Sequence, residues 1–257
     1  MIVDTSIHLG HWPFRRHDYE ETAKLAKKLK TAGIVEAWAG SFEGIFHKDI
    51  AGANARLAEE CRKTADIKLI AFGSVNPKLP AWEDDLRRCD EEHKMPGIRL
   101  HPNYHGYKLD DADFAALLIA AVKRKMFVQV VVRMEDERTH HPLMQVPGVD
   151  LKSLPEIVAK IPDLHLQILN ASIPPLGEAL VPLARAGQVF FDFAMLETVG
   201  VVARLIDRVG GERVLFGSHF PLYHVESAIL KIKEADLKES DAKAVQIANA
   251  RKVVAAK

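Results

Sequence analysis

The sequence predicts an α/β protein folded as a single (β/α)8 TIM barrel over residues 1–257. Three observations predict it. Eight short, nearly continuous apolar runs recur along the chain, the pattern of parallel strands buried on both faces. Most of the stretches between them carry helical spacing or helix start and stop signals. No linker or compositional break divides the chain, and no glycine-rich phosphate turn follows the first run, as a doubly wound open sheet would need.

The strands are read in order as "MIVDTSI" (1–7), "GIVEAWAG" (33–40), "IKLIAFGSV" (67–75), "GIRLH" (97–101), "MFVQVVVR" (126–133), "LHLQILN" (164–170), "QVFFDFA" (188–194) and "RVLFGS" (213–218). After the first, "DYEETAKLAKKLKTAG" puts Leu25 and Leu29 on one helical face and stops at Gly33. "DDADFAALLIAAVKRK" begins acidic and ends basic, matching the helix dipole. "AILKIKEADL" follows the last strand, and "ESDAKAVQIANARKVVAAK" gives a terminal helix.

Lys+Arg and Asp+Glu are both 35, so the formal net charge is zero and nothing argues for nucleic acid or an anionic membrane as partner. Cys61 and Cys89 fall in outer helices and make no disulfide framework. With no basic-then-apolar leader and no apolar run near the roughly 20 residues that span a bilayer, a cytoplasmic protein is expected. A small-molecule substrate is the expected partner, and homo-oligomer formation is left open.

Barrel chemistry sits at the C-terminal ends of the strands, so polar residues there are the site candidates. They are Ser6 and His8 after the first strand, Arg99 and His101 after the fourth, and Arg133, Glu135 and Asp136 after the fifth. Asn170, Asp192, Ser218 and His219 follow the last three. Asp4, Ser6 and His8 share a face because side chains alternate along a strand. In "RMEDERTHHP" Arg133 lies nearest the strand end and suits a carboxylate through a two-pronged contact. "HPNYHGY" lays Tyr104, His105 and Tyr107 over the same mouth, groups that fit a planar or acidic small molecule.

Five segments in order resemble the amidohydrolase-related family, the branch with aminocarboxymuconate-semialdehyde decarboxylase-like and dicarboxylate lactonase-like enzymes. "VDTSIHLG" matches its opening Asp-x-His-x-His strand, "PGIRLHPNYHGYKLDD" its fourth, "IPDLHLQILNA" its sixth, "RVLFGSHFP" its Gly-Ser-Asp-Phe-Pro, and "NARKVV" its terminal signature. The resemblance implies a divalent metal held by two strand-1 histidines, histidines of strands 5 and 6, and a strand-8 aspartate. The matching positions here are Ser6, His8, about Val131, Asn170 and His219, and only His8 keeps its type.

The sequence therefore leads to an amidohydrolase-type hydrolase for a small, anionic, carbonyl-containing substrate such as a lactone or amide, with a degenerate or absent metal site. His219, His8 and Arg133 are the expected catalytic residues: His219 as base for the attacking water, Arg133 and His8 steadying developing charge. His101, Asn170, Ser6, Asp192, Tyr104 and Glu135 are expected to contact substrate. No cofactor is assigned; a divalent metal such as zinc, if held at all, would use His8, His101 and His219. The alternatives are a catalytically inactive barrel that binds a small molecule or a protein, and a metal-dependent decarboxylase with rearranged ligands.

Overall fold

A computed structural model describes residues 1–255. Seven parallel strands, β1 (Ile2–Leu9), β2 (Ile34–Ser41), β3 (Lys68–Gly73), β4 (Gly97–Leu100), β5 (Phe127–Val131), β6 (His165–Leu169) and β7 (Gln188–Phe191), pair in sequence order. Helices cross over between successive strands, among them Thr22–Thr31, Ile50–Lys63, Trp82–Glu91 and Ala112–Lys123. Along these strands nearly every residue is buried, which is why they read as unbroken apolar runs. The result is a TIM-barrel-like α/β fold.

The expected eighth strand, 213–218, is not a regular strand. Isolated parallel bridges join Phe191 to Val214 and Ile7 to Phe220. Leu215 N–H donates to the Phe191 carbonyl at 2.9 Å, Thr5 N–H to Phe216 at 2.8 Å and His8 N–H to Phe220 at 2.9 Å. The ladder is interrupted because His219 takes a left-handed backbone (φ 58°) and Pro221 has no N–H to give. The segment nevertheless bonds both sheet edges, which brings His219 beside β1. β5 and β7 also stop earlier than their apolar runs, at Val131 and Phe191, leaving Arg133 and Asp192 on the following loops.

Inside the sheet a polar layer crosses the apolar core. Arg99 Nε donates to Gln129 Oε1 (2.8 Å) and its other nitrogens to the carbonyls of Ile7, Thr5 and Trp38. Gln129 Nε2 donates to Gln167 Oε1 and to the Thr5 carbonyl, Gln167 Nε2 to Thr5 Oγ1, and Thr5 Oγ1 to the Phe216 carbonyl. Every member is fully buried, and the network satisfies each guanidinium nitrogen. No helix among the described residues is long and apolar enough to cross a membrane.

Candidate active site

Above the polar layer, β1, β4 and the Val214–Phe220 segment bring three imidazoles together. The His8 ring lies 5.8 Å from His101 and 5.5 Å from His219, centre to centre, and all three are fully buried. The sequence grouped these three only as ligands of a metal, if one were held, and did not show that they converge.

The three rings differ in what holds them. Both nitrogens of His8 and both of His101 are buried with no hydrogen-bond partner among the described residues. His219 is fully engaged. Its Nε2 lies 2.6 Å from the Met134 carbonyl and so carries the proton, and its Nδ1, 2.9 Å from Asn170 Nδ2, accepts. Asn170 shares the left-handed backbone of its partner, with φ 58°. Such strain persists only where surroundings over-determine it, and here the two strained residues bond each other. Neither ring nitrogen of His219 has a lone pair left for a water proton, so the expected base is bound in place rather than poised.

Burial pushes all three imidazoles down. For His8 and His101 it does so well below the ordinary value, helped by the Arg99 charge on both, by His219 and His101 on His8, and by His105 and His219 on His101. His219 falls to about 4 through burial, partly offset by its bond to Met134. The same burial lifts carboxyls: Asp192 to about 7 and Asp4 to about 6, the latter held back by bonds from Ser218 and Ser6. Burial also lowers Arg99 to about 9. Arg99 makes no ion pair among the described residues.

Asn170 ties the group to its neighbours. Its backbone N–H donates to Asp192 Oδ1 (3.0 Å), and Ser6 Oγ reaches its side-chain oxygen at 3.5 Å. Ser6 thus points to Asn170 rather than to His8, and no serine–histidine pair forms. Asp192 Oδ2 is buried without a partner, close to Gly217, where a Cβ would meet Asp192 at 2.8 Å.

An apolar cap covers the rings. Phe42 stacks on His8 at 5.1 Å with 10° between planes, and Trp12 packs on Phe42, Phe14, Phe46 and Tyr104. Met134, Val131, Leu169 and Leu222 complete this cluster. Arg15 secures it: its Nη2 donates to the Leu222 carbonyl (2.9 Å) and lies 3.5 Å from buried Glu135. Glu135 and Tyr104 therefore belong to the cap. Arg133 does not reach the imidazoles; it pairs with Glu137 at 3.0 Å and packs against Gly148. Five surface cavities are lined by other residues and not by His8, His101 or His219.

Sequence reading missed the cap and the polar layer. "HWPF" (11–14), beginning three residues after His8, was the signal for the first; a glutamine inside each of "FVQVVVR" and "LHLQILN" was the signal for the second. Arg99, counted there among mouth residues, forms the floor instead.

Comparison with known proteins fits this architecture. The amidohydrolase family model matches residues 3–255. The chain belongs to the amidohydrolase family. No curated protein sequence matches it. Among solved structures, 2,6-dihydroxybenzoate decarboxylase from Rhizobium superposes with a TM-score of 0.75 at 16% identity, covering 99% of this chain and 98% of that one. 5-Carboxyvanillate decarboxylase from Sphingomonas paucimobilis gives 0.76 at 13%, covering 99% and 98%. Dihydroxybenzoic acid decarboxylase from Polaromonas, with bound manganese and the inhibitor 2-nitroresorcinol, gives 0.71 at 13%, covering 99% and 96%. At these identities the likeness is one of fold.

A metal-dependent amidohydrolase-fold centre needs about three protein ligands with a position left open. Here His8 and His101 offer free nitrogens, His219 offers none, and no group of three or more His, Cys, Asp or Glu among the described residues could hold a metal ion. The residues present do not fit such an ion.

Proposed function

We propose that this amidohydrolase-family chain, read as one domain with the Val214–Phe220 segment as the eighth stave of its barrel, is a decarboxylase-type enzyme for a small aromatic carboxylic acid. The observation that carries the reading is the His8–His101 pair: four buried imidazole nitrogens without partners at the strand ends. Leaving buried polar atoms unpaired costs about 1–3 kcal/mol each, so this arrangement is expected where a ligand supplies the missing bonds. Three further features favour a flat anion. The cap offers ring faces for stacking, Arg99 places an unpaired positive charge below, and the solved structures of like fold include decarboxylases of hydroxybenzoic acids.

In the proposed reaction the loop carrying Trp12 and Phe14 lifts, the acid enters, and its carboxylate lies against His8 and His101. An anion within about 4–6 Å favours the protonated imidazole, so one of the two takes up a proton as substrate binds. That imidazolium then gives its proton to the ring carbon bearing the carboxylate. The carbon–carbon bond breaks, CO2 leaves, and the imidazole returns to neutral. Asn170 and the Met134 carbonyl hold His219 so that it walls the site without competing for the proton. The water-attack hydrolase expected from sequence is set aside because His219 has no free nitrogen for the base role.

The test is release of labelled CO2 from carboxyl-labelled 2,6-dihydroxybenzoate and a panel of related hydroxybenzoates. Turnover that falls about 100-fold or more in His8→Ala and His101→Ala supports the reading; no release from any member refutes it. The closed cap also favours a second reading, a barrel that binds such acids without turning them over, which predicts saturable binding with no CO2.

A further inference from the structure

The cap is tied down at one point. Among the described residues, no backbone hydrogen bond links residues 11–20 to another part of the chain. The His11–Glu20 pair (3.0 Å) and the bond from Tyr19 N–H to His17 Nδ1 (3.2 Å) lie inside this stretch and travel with it. Across the mouth, Arg15 alone makes polar bonds among the described residues, and it makes them with one atom. Its Nη2 donates to the Leu222 carbonyl at 2.9 Å and lies 3.5 Å from Glu135 Oε1. Ring packing holds the rest, such as Trp12 on Phe42 and Tyr19 on Phe220. A segment with so few backbone bonds opens at low free-energy cost. The two partners in the tether are unequal. Glu135 is buried, its Oε1 forms no hydrogen bond, and Arg15 is its only ion-pair partner among the described residues. The Arg15 side chain is 43% exposed, and its Nε and Nη1 have no partner among the described residues. A half-exposed guanidinium with two free nitrogens therefore stands at the rim of a closed site.

We infer that Arg15 is both the latch of the cap and the residue that selects an anionic ligand. The incoming carboxylate takes the place of Glu135 and the Leu222 carbonyl on the guanidinium, and the cap is released. The inference rests on the small aromatic acid proposed above as ligand. A free carboxylate accepts two parallel N–H bonds from an arginine, whereas Glu135 stands beyond normal hydrogen-bond length. The exchange therefore favours the ligand. Glu135 loses its counter-charge but gains water as the cap lifts, so no unpaired charge stays buried. A neutral ligand of the same shape gains nothing at Arg15 and enters only on spontaneous opening. Arg15 meets the carboxylate at the rim, away from the reacting carbon, and so acts as a specificity residue.

The experiment has two arms. Without ligand, acylation of His8 and His101, followed by mass spectrometry, is expected to speed up about tenfold or more in Arg15→Gln, the worth of one charge-assisted hydrogen bond. In Arg16→Gln, a neighbouring exposed arginine, it stays at the wild-type rate. With ligand, stopped-flow protein fluorescence compares entry of benzoate with that of benzamide, its neutral counterpart. The wild type is expected to admit benzoate about tenfold faster, by release of the same bond. Arg15→Gln erases the difference, and Arg15→Lys keeps part of it, a rescue that a packing role alone would not give. Unchanged acylation in Arg15→Gln overturns the latch, and equal entry of the two compounds in the wild type overturns the selection. Faster acylation in Arg15→Gln with neither compound bound keeps the latch and refutes the aromatic-acid reading. Preferred entry of benzoate with no CO2 release from hydroxybenzoates keeps both roles of Arg15 and refutes the reaction.

Discussion

Four imidazoles in one barrel mouth are held neutral by burial, and acid should therefore unfold this protein steeply. His219 and His105 sit at about 4, and His8 and His101 lie well below their ordinary value. For each, the folded value lies below the unfolded one. Its contribution to stability is complete above about pH 6.5 and is lost as pH falls toward 4. Asp4, raised to about 6, and Asp192, raised to about 7, act oppositely: both hold protons in the folded state that the unfolded state has released. Between about pH 5 and 6 the unfolded chain thus binds roughly four extra protons at the histidines, against roughly two extra in the folded chain at the carboxyls. A net of about two protons at about 1.4 kcal/mol per pH unit each gives a fall of about 3 kcal/mol per unit of acidification. Urea unfolding at intervals across that window measures it. His101→Leu removes one of the four and should flatten the slope by about a third to a half. A wild-type slope near zero, or stability rising toward pH 5, refutes the assignment of neutral buried imidazoles.

Further outcomes follow from single contacts. Asn170→Ala strips His219 Nδ1 of its donor and keeps a left-handed backbone on a residue with a Cβ. It should cost about 1–3 kcal/mol in denaturant unfolding, and Asn170→Gly less, because glycine accepts that backbone. Trp12→Ala removes the centre of the cap and should cost about 3–5 kcal/mol. The same variant should expose the imidazoles to an acylating reagent that spares them in the wild type, measured by mass spectrometry. Dialysis against manganese followed by elemental analysis should leave well under one ion per chain; stoichiometric manganese lost in His8→Ala would show that the free nitrogens recruit a third ligand.

The fold was legible because burial on both faces writes parallel strands as apolar runs, and seven of the eight appear where those runs lie. The eighth was less so: the length and composition of "RVLFGS" suit a strand, but the strained His219 and the proline after Phe220 break its ladder, and neither effect is visible in hydrophobicity. At the site, position on the strand ends marked His8, His101 and His219 as candidates, but nothing in the sequence showed that the three converge; the folded chain does that. Roles were not readable. Whether His219 is a base or a wall depends on Asn170 and on the Met134 carbonyl, residues distant in sequence whose approach only the folded chain sets. Arg133 illustrates the same gap, since proximity to a strand end placed it by the mouth while its partner Glu137 and Gly148 draw it away.

Adding a hydroxybenzoate to ¹⁵N-histidine-labelled protein tests most directly whether the buried imidazole pair is where this protein meets its ligand. We expect the His8 and His101 ring signals to shift, one toward the protonated form, while exposed His11 and His141 stay unmoved. Saturable binding that leaves both buried rings unchanged would contradict the assignment.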